Sequence, residues 1–370
     1  MGKRSGRSSE LQALELAPGE FVAVGLDVHK SSIHAAVRVN GVETDTWVMP
    51  SALKAVVERF ALLRGRAHRI VYEAGPTGFA LARALQRAQL CAEVVAPGKV
   101  PRPANRGSKS DRLDCRKLAL YAEKGLLSAV AIPTVEEETA RQVTRLREQI
   151  VKKIRRVKQQ IKGLLLQHGI AEPPGLKTWS LAGVAALRTC RMPEALRFAM
   201  DMLLEELQSL TKARRRTEGR MREMSHQRRY MASERVLQSH PGVGAITSMT
   251  FLTEIYRPER FANKRELASY CGLAPRVCQS GETRHEGTLI KGGRCGLRRL
   301  LVEAAWVWIT KDPDAMACYR RLVRNTGKSQ KAIVAMARRL AIRLWCMARR
   351  GEMYCAGKDH RTLCMEADQM

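Results

Sequence analysis

The amino-acid sequence predicts an α/β N-terminal domain, a middle segment of two long helices and a mostly α-helical C-terminal domain. Short apolar runs separated by turn residues dominate as far as about residue 97, as in a sheet. Apolar residues then recur at steps of three and four, the pattern of amphipathic helices. The predicted organisation is a basic, flexible tail at 1–19, an α/β domain at 20–133, a coiled-coil hairpin at 134–235, a mostly helical domain at 236–352 and a tail at 353–370.

Three short strands come first in the N-terminal domain: "FVAVGLDVHK", "SIHAAVRVNG" and "ETDTWVM". Consecutive strands joined by short turns predict an antiparallel meander. A helix, "SALKAVVERFALLRG", then precedes the strand "RIVYEAGPTG". A second helix, "FALARALQRAQ", leads to the strand "CAEVVAP" and to a third helix that begins near Ser110. Three strands followed by alternating helices and strands predict a mixed sheet flanked by helices, the ribonuclease-H-like architecture.

The middle of the chain predicts an antiparallel coiled-coil hairpin. Two apolar stripes are separated by "PPG" at 173–175, and their members are Val143, Leu146, Ile150, Ile154, Val157, Ile161 and Leu164, then Leu196, Met200, Leu203, Leu207 and Leu210. Arg214 and Thr217 interrupt the second stripe before Met221 and Met224 resume it.

Both predicted helices are strongly basic between their apolar positions. The cations are Arg145, Arg147, Lys152, Lys153, Arg155, Arg156 and Lys158 on the first helix, and Lys212, Arg214, Arg215, Arg216, Arg220 and Arg222 on the second. A charge run is ordinarily a solvated helix face, but the positive bias here predicts contact with nucleic acid.

The last third opens with "LQSHPGVGAITSMTFLTEI", in which a helix end, Pro-Gly-x-Gly and a new helix form a helix-hairpin-helix pattern. Gly242 and Gly244 would let backbone N–H groups at a helix N-terminus approach a phosphate. A plain turn between helices is the alternative. Residues 275–296 are expected to form a long Gly-rich loop, followed by further helices that end in "KAIVAMARRLAIRLWCMARR".

Composition indicates the class of partner. The 370 residues include 65 Lys and Arg against 36 Asp and Glu, a formal net charge of +29. Such an excess indicates an extended nucleic-acid surface, although a ribosome-like or merely basic protein is the alternative. No stretch approaches the roughly 18 uncharged apolar residues of a membrane span, so we expect no membrane contact and a cytoplasmic location. The ten cysteines lack any CxxC pair, and we expect core residues rather than metal ligands.

Four carboxylates of the N-terminal domain are candidate metal ligands. Asp27 lies inside an otherwise apolar strand, and Glu73 ends the strand expected beside it; Asp111 and Asp114 lie three residues apart on one helix face. Carboxylate oxygens suit Mg²⁺ or Mn²⁺. Each acid also has an ordinary explanation: an ion pair with Lys30 for Asp27, a helix cap for Asp111, a solvated charge for Asp114.

Five segments carry a family resemblance: "GLDVHKSSIHAAV", "VYEAGPTGFALARALQ", "KSDRLDCRKLA", "HPGVGAITSMTFLTEI" and "YCGLAPRVCQSGETRHEGTLIKGGRCGLRRLLVEAA". Together they resemble the insertion-sequence transposases that have a RuvC-like DEDD N-terminal domain and a serine-bearing C-terminal transposase domain. This family includes the bridge-RNA-guided recombinases. The resemblance covers roughly residues 20–350, in order.

The resemblance implies roles for five residues. Asp27, Glu73, Asp111 and Asp114 match the family's metal-binding quartet, and Ser280 in "CQSGE" matches its nucleophilic serine, which attacks a DNA phosphodiester to form a phosphoserine link. It also implies a noncoding guide RNA that pairs with target and donor DNA. The family works as a homo-oligomer, a dimer or tetramer, in which the RuvC-like domain of one subunit and the serine domain of another complete each active site.

The segment around Ser280 holds cations that suit phosphate: Arg276, Arg284, Lys291 and Arg294. A serine beside glycine is most often a turn residue, so from the residues alone Thr283 and Thr288 remain alternative nucleophiles. We therefore expect a transposase, a site-specific recombinase of DNA that uses Mg²⁺ (or Mn²⁺). The alternatives are a metal-dependent DNA junction nuclease that uses an activated water, and a non-catalytic nucleic-acid binder.

Overall fold

The computed structural model describes residues 19–101, 111–280, 283–289 and 293–356, and for 45, 111, 112, 276–280 and 283–288 it describes the backbone alone. The chain divides into two compact units, with the boundary between Thr134 and Val135. The first contains the predicted α/β domain, and the second contains the predicted helical hairpin together with the predicted C-terminal domain. None of the helices in the described ranges is long and apolar enough to cross a membrane.

The N-terminal unit follows the predicted order of elements. These are β1 (Val22–Val28), β2 (Ser32–Val39), β3 (Val42–Pro50), α1 (Leu53–Phe60), β4 (His68–Glu73), α2 (Ala80–Arg87), β5 (Ala92–Val95) and α3 (Asp111–Glu123). The strand order is β3-β2-β1-β4-β5, antiparallel from β1 through β3 and parallel from β1 through β5. The predicted meander and the predicted mixed sheet are both confirmed.

Alternation along the strands divides the core of this unit between the two faces of the sheet. Val22, Val24 and Leu26 of β1 share a buried cluster with Phe60 of α1 and Leu85 of α2. On the opposite face, Ala23 shares a second cluster with residues of β4, β5 and α3, namely Val71, Val95, Leu118 and Ala122. Helices α1 and α2 therefore cover one face of the sheet, and α3 covers the opposite face, to which Ala23 and Gly25 belong.

A glycine sets how closely α3 approaches the sheet. A Cβ atom on Gly25 would overlap the backbone oxygen of Cys115 and the backbone nitrogen of Ala119, and would lie 2.9 Å from the Cβ of Leu118. Only a residue without a side chain permits this contact. Ion pairs with the meander also hold α3, because Arg38 Nε lies 2.8 Å from Glu123 Oε2, with both side chains largely buried.

The second unit is mainly helical. Its elements are α4 (Val135–Gln167), α5 (Leu181–Thr189), α6 (Glu194–Ser225), α7 (Arg228–Gln238), α8 (Ala245–Ile255), α9 (Lys264–Tyr270), β6 (Pro275–Ser280), β7 (Thr283–Leu289), α10 (Cys295–Lys311), α11 (Pro313–Thr326) and α12 (Ser329–Arg350). The two long helices and the last helix agree with the sequence prediction. The helices α5 and α11 were not predicted.

The long helices α4 and α6 pack against each other along a shared apolar core. They run antiparallel, because Arg147 near the start of α4 pairs with Glu218 near the end of α6 at 2.9 Å. Most of the predicted stripe is buried, but Leu146 is 49% exposed while Leu165 is fully buried. A straight helix repeats every 3.6 residues, so a stripe of seven-residue steps drifts off the contact line. The prediction for Leu146 was therefore wrong, whereas the predicted Leu164 is partly buried against this core.

The prediction of a Gly-rich loop at 275–296 was wrong. Strands β6 and β7 form an antiparallel hairpin in which Ser280 is opposite Thr283 and Gln279 is opposite Arg284. Cross-strand backbone hydrogen bonds make such a ribbon, so it needs few apolar anchors and leaves a weak hydrophobic pattern. The sequence did contain a signal, since Gly281-Glu282 between two short runs is typical of a two-residue hairpin connection.

Candidate functional site

Asp27 and Glu73 lie at the carboxyl ends of two neighbouring parallel strands. The register pairs Leu26 of β1 with Tyr72 of β4, so Asp27 and Glu73 are each one residue further along. Because Leu26 and Tyr72 both belong to the core under α1 and α2, alternation puts the two acids on the opposite face, the face that α3 covers. The sheet therefore brings them to one edge and to one side.

The helix α3 adds the remaining two acids on that side. Cys115 packs against Gly25. Burial, and to a smaller extent the charge of Asp27, raises the pKa of the Cys115 thiol to about 11. Asp114 precedes Cys115 and is 32% exposed, with Lys117 Nζ 3.7 Å from its Oδ1. Asp111 begins the same helix, one turn earlier. Its side chain is outside the described atoms.

Asp27 is the more enclosed of the strand acids. Its side chain is 25% exposed, and its Oδ2 lies 3.3 Å from Nε2 of His29. Glu73 is exposed at the strand end. All four candidate ligands offer carboxylate oxygens, the donor type that Mg²⁺ and Mn²⁺ bind. Among the side chains that the structure describes, which exclude Asp111, no three Asp, Glu, His or Cys residues stand close enough to hold a metal ion.

The predicted nucleophile, Ser280, is the last residue of β6, at the end of the hairpin. Thr283, one of the alternative nucleophiles, is opposite it on β7, and Thr288 lies further along the same strand. Arg276 is on β6 at a register shift, and Arg284 is opposite Gln279. The side chains of these five residues, and all of Lys291, lie outside the described atoms.

Arg294 is the predicted phosphate ligand whose side chain is described. Its Nε donates to Glu254 Oε1 at 2.7 Å and its Nη2 donates to Glu148 Oε2 at 2.7 Å. The side chain is 26% exposed. Two carboxylates therefore already engage the guanidinium, and a phosphate would have to compete with them.

The two glycines of the helix-hairpin-helix pattern have different surroundings. Gly242 adopts φ +92°, and a Cβ atom there would lie 2.6 Å from the backbone oxygen of Ala304 on α10. Gly244 is the residue before α8, and a Cβ atom there would meet nothing within 4 Å. Close packing against α10 therefore explains why position 242 needs a glycine, whereas the backbone at Gly244 is open to an approaching group.

Comparison with known proteins identifies both units. The model of the family described as "Transposase IS116/IS110/IS902 family" matches residues 234–320, and the DEDD transposase domain of IS110, described as "Transposase", matches residues 24–170. The first match contains the helix-hairpin-helix pattern and the hairpin β6–β7, and the second runs from within β1 to just beyond the end of α4. The chain belongs to this transposase family.

Relatives of the transposase match most of its length. A protein of Sinorhizobium fredii named as a transposase is 28% identical over 361 residues, 88% of each chain. The transposase for insertion sequence element IS1111A of Coxiella burnetii is 26% identical, over 72% of this chain and 73% of the relative. The transposase for insertion sequence element IS1533 of Leptospira borgpetersenii is 25% identical, over 77% and 84%.

These matches establish the chemistry in general terms. The transposase is an enzyme, since transposases cut and rejoin DNA. A DEDD domain indicates dependence on a divalent metal ion, without indicating which one. The predictions of an insertion-sequence transposase and of DNA as its substrate are confirmed, and the alternative of a non-catalytic binder is excluded.

Sequence reasoning missed a buried carboxylate of the second unit that accepts hydrogen bonds from three different side chains. Glu254 on α8 is 1% exposed, and Arg145, Arg294 and the Tyr270 hydroxyl all donate to its carboxylate. The signal was present in "TSMTFLTEI", where a single acid interrupts an apolar helix. The argument applied to Asp27, that a buried carboxylate needs a cation, applies equally here.

The structure divides the cations of α4 and α6 into those that pair with carboxylates inside the unit and those that are exposed. Arg145 and Arg147 pair with Glu254 and Glu218 inside the unit. The cations without an internal carboxylate partner among the described side chains include three exposed residues of α4 and three of α6: Lys153, Arg155 and Arg156, and Lys212, Arg215 and Arg216. These six side chains are accessible to an external anion, whereas Arg145 and Arg147 are already paired.

Proposed function

We propose that this transposase is a site-specific DNA recombinase that cuts and rejoins DNA through a phosphoserine intermediate. Ser280 is the nucleophile, and Asp27, Glu73, Asp111 and Asp114 hold a Mg²⁺ or Mn²⁺ ion. The N-terminal unit then has a ribonuclease-H-like, RuvC-like fold, which the strand order β3-β2-β1-β4-β5 supports.

The placement of Asp27 and Glu73 is the observation that carries the proposal. Adjacent parallel strands in register bring both acids to one sheet edge, and α3, which bears Asp111 and Asp114, crosses β1 on the same face. Both strands therefore present an acid at the same edge and on the same face, as a metal site built on the sheet and α3 requires. The four carboxylates would hold the metal ion, whose positive charge would offset negative charge on a phosphodiester.

The serine step exchanges one phosphoester for another. A bond forms between Ser280 Oγ and the phosphorus of a DNA phosphodiester, one bridging P–O bond breaks, and the departing deoxyribose oxygen gains a proton to replace the one that the serine loses. Attack by a deoxyribose hydroxyl on the phosphoserine reverses the exchange, restores the serine and joins the new strands. No oxidant and no high-energy cofactor is needed.

A noncoding guide RNA and a homo-oligomer, a dimer or a tetramer, complete the proposal. The net charge of +29 lies far beyond what solubility requires, and the exposed cations of α4 and α6 offer a surface for a polyanion. Arg276, Arg284 and Lys291 are the cations we assign to the phosphates beside Ser280. Sequencing the RNA that copurifies with the protein, and comparing it with DNA flanking the gene, tests the guide.

The experiment that tests the nucleophile compares Ser280→Ala with Thr283→Ala. Each variant removes one hydroxyl from the same end of the hairpin, because the two residues are opposite each other. With cognate DNA and Mg²⁺, the native protein and Thr283→Ala should give protein-linked DNA on denaturing gels, and Ser280→Ala should give none and no strand transfer.

Two outcomes would overturn the serine mechanism. One is full strand transfer by Ser280→Ala. The other is metal-dependent cleavage by the native protein without any protein-linked DNA, the behaviour of a junction nuclease that activates water. Asp114→Asn tests the metal site separately, since it should abolish cleavage and weaken Mn²⁺ binding measured by calorimetry.

A further inference from the structure

The hairpin that bears Ser280 is attached to the unit through two chain segments, which we call its feet. The departing foot is 270–274, at the end of α9, and the returning foot is 293–298, at the start of α10. The feet bond directly to each other: the Arg294 backbone N–H donates to the Tyr270 carbonyl at 2.7 Å, and Arg298 Nη1 donates to the Gly272 carbonyl at 3.1 Å.

A glycine brings the two feet into backbone contact. Gly293 has φ +87°, and a Cβ atom there would lie 2.6 Å from the Ser269 carbonyl oxygen and 2.7 Å from the Gly272 nitrogen. Any side chain at this position would push the returning foot away from the departing one. The base of the hairpin is therefore a packed junction.

A single buried carboxylate bonds to both feet. Glu254 Oε2 accepts from the Tyr270 hydroxyl of the departing foot at 3.1 Å, and Glu254 Oε1 accepts from Arg294 Nε of the returning foot at 2.7 Å. Glu254 belongs to neither foot, since it lies on α8. It therefore fixes the hairpin base to the helix-hairpin-helix part of the unit.

The same carboxylate extends the attachment to α4. Arg145 donates to both oxygens of Glu254, at 2.9 and 3.0 Å, in the bidentate geometry that fixes orientation as well as distance. Glu148, one turn further along α4, binds the other side of Arg294. A Cβ atom on Gly296 would overlap the Glu148 carboxylate, so this contact also needs the glycine.

Charge keeps this junction closed at neutral pH. Burial alone would raise the pKa of Glu254, but the hydrogen bonds and charges of Arg145 and Arg294 outweigh burial and hold the pKa below its ordinary value. Burial, followed by the charge of Glu254, raises the pKa of Tyr270 to about 12, so its hydroxyl keeps the proton that it donates.

We infer that Glu254 is the positioning residue for the serine hairpin: through Tyr270 and Arg294 it holds both feet and so sets where Ser280 meets the scissile phosphate. The inference rests on the proposed function for the role of Ser280, but not for the attachment of the hairpin. A displacement of about 1 Å at a reacting group is enough to cost about 100-fold in rate. Glu254 touches neither substrate nor metal in this role, and Arg294 acts with it rather than as a phosphate ligand.

The test compares Glu254→Gln with Glu137→Gln in the full-length protein. Glu137 is a matched control, because it is also buried, at 4% exposure, and also pairs with two arginines, Arg229 at 2.9 Å and Arg257 at 3.4 Å, neither of which belongs to the hairpin feet. Amide hydrogen exchange and the rate of protein–DNA adduct formation at saturating DNA are measured for both.

We expect Glu254→Gln to speed amide exchange in residues 276–289 at least 10-fold while exchange in α12 stays unchanged. Adduct formation should slow by about 10- to 100-fold with DNA affinity unaltered. Glu137→Gln should change neither hairpin exchange nor adduct rate. Tyr270→Phe, which removes one hydroxyl, should give a smaller change in the same direction and serves if Glu254→Gln fails to fold.

The outcomes separate this inference from the proposed function. Native-like hairpin exchange in both Glu254→Gln and Tyr270→Phe would overturn the inference, whatever Ser280 does. Faster hairpin exchange, together with full strand transfer by Ser280→Ala, would support the attachment and reject the serine mechanism. An equal loss of adduct rate in Glu137→Gln would show a general loss of stability and would also overturn the positioning role.

Discussion

Asp27 and Glu254 are two acids on elements whose other residues are mostly apolar, and their surroundings assign them different tasks. Glu254 is 1% exposed and receives two arginines and a tyrosine hydroxyl, so protein groups compensate its charge. Asp27 is 25% exposed, lies at a strand end and has His29 at 3.3 Å. A partly accessible carboxylate can still exchange a contact for an external cation, whereas one enclosed by two guanidinium groups cannot.

At the residue scale, Gly242→Ala and Gly244→Ala should have opposite consequences. Gly242→Ala forces a side chain onto a positive φ and against α10, and should destabilise the protein by about 1–3 kcal/mol. Gly244→Ala meets open space and should leave stability nearly unchanged, but it should weaken DNA binding if the α8 N-terminus receives a phosphate. Thermal unfolding and DNA titration of the two variants check this.

A DNA affinity unchanged in Gly244→Ala would argue against a phosphate contact at this turn.

The residues next to His240 favour a structural role for the first half of the helix-hairpin-helix pattern. His240 is buried between the rings of Trp308 and Tyr354, and burial above all lowers its pKa to about 3, so it stays neutral at physiological pH.

At the element scale, two attachments position the proposed chemistry. The helix α3 is placed by its contact with Gly25 of β1 and by the Arg38–Glu123 pair, and the hairpin β6–β7 is placed by the feet that Glu254 binds. Each attachment combines a glycine that permits close approach with a buried ion pair that fixes direction. Neither depends on the apolar stripe that predicts the element itself.

Gly25→Ala tests the first attachment. The added Cβ atom would meet the backbone of α3 at Cys115 and Ala119, which has little room to move, so α3 should shift away from the sheet. We expect a loss of stability of about 1–3 kcal/mol and weaker Mn²⁺ binding, because Asp114 moves with the helix. Gly98→Ala, where an added Cβ atom would meet nothing within 4 Å, is the matched control. Native metal affinity in a folded Gly25→Ala protein would contradict the proposed role of α3.

At the scale of the whole molecule, the net charge of +29 is what remains after every acid has been counted against a cation. The ion pairs of Arg145 and Arg147 with Glu254 and Glu218 therefore add nothing to it, whereas the exposed cations of α4 and α6 belong to the polyanion surface we propose. Contacts of this kind release counterions, so affinity should fall steeply with salt.

The triple variant Lys153→Gln, Arg155→Gln, Arg156→Gln tests this surface. It should flatten the plot of log affinity for DNA against log salt concentration by about 0.9 for each lost phosphate contact. Lys54→Gln, Arg66→Gln, Arg87→Gln removes the same charge from exposed positions of the N-terminal unit. Identical slopes for the two triple variants would mean that only net charge matters and that α4 makes no specific contact.

Local patterns in the sequence were enough to predict the elements with a strong period: the five-stranded sheet, the two long helices, the last helix and the order of the four acids along them. Helices and strands of this kind can be predicted from the spacing of apolar residues and from residue types, because both involve only residues that are close in the chain. The family resemblance added Ser280, which no local pattern would have selected. The resemblance also matches the two family models in order along the chain.

The partners of the charged side chains and of the glycines, in contrast, are visible only in the folded chain. There Arg294 pairs with Glu254 and Glu148, the hairpin β6–β7 stands where a loop was expected, and Leu146 of the predicted stripe is half exposed while Leu165 is buried. The physical reason is range: alternation acts between neighbours in the chain, whereas ion pairs and close backbone approaches join residues up to 146 positions apart. Such distant partners leave no periodic trace in a single sequence.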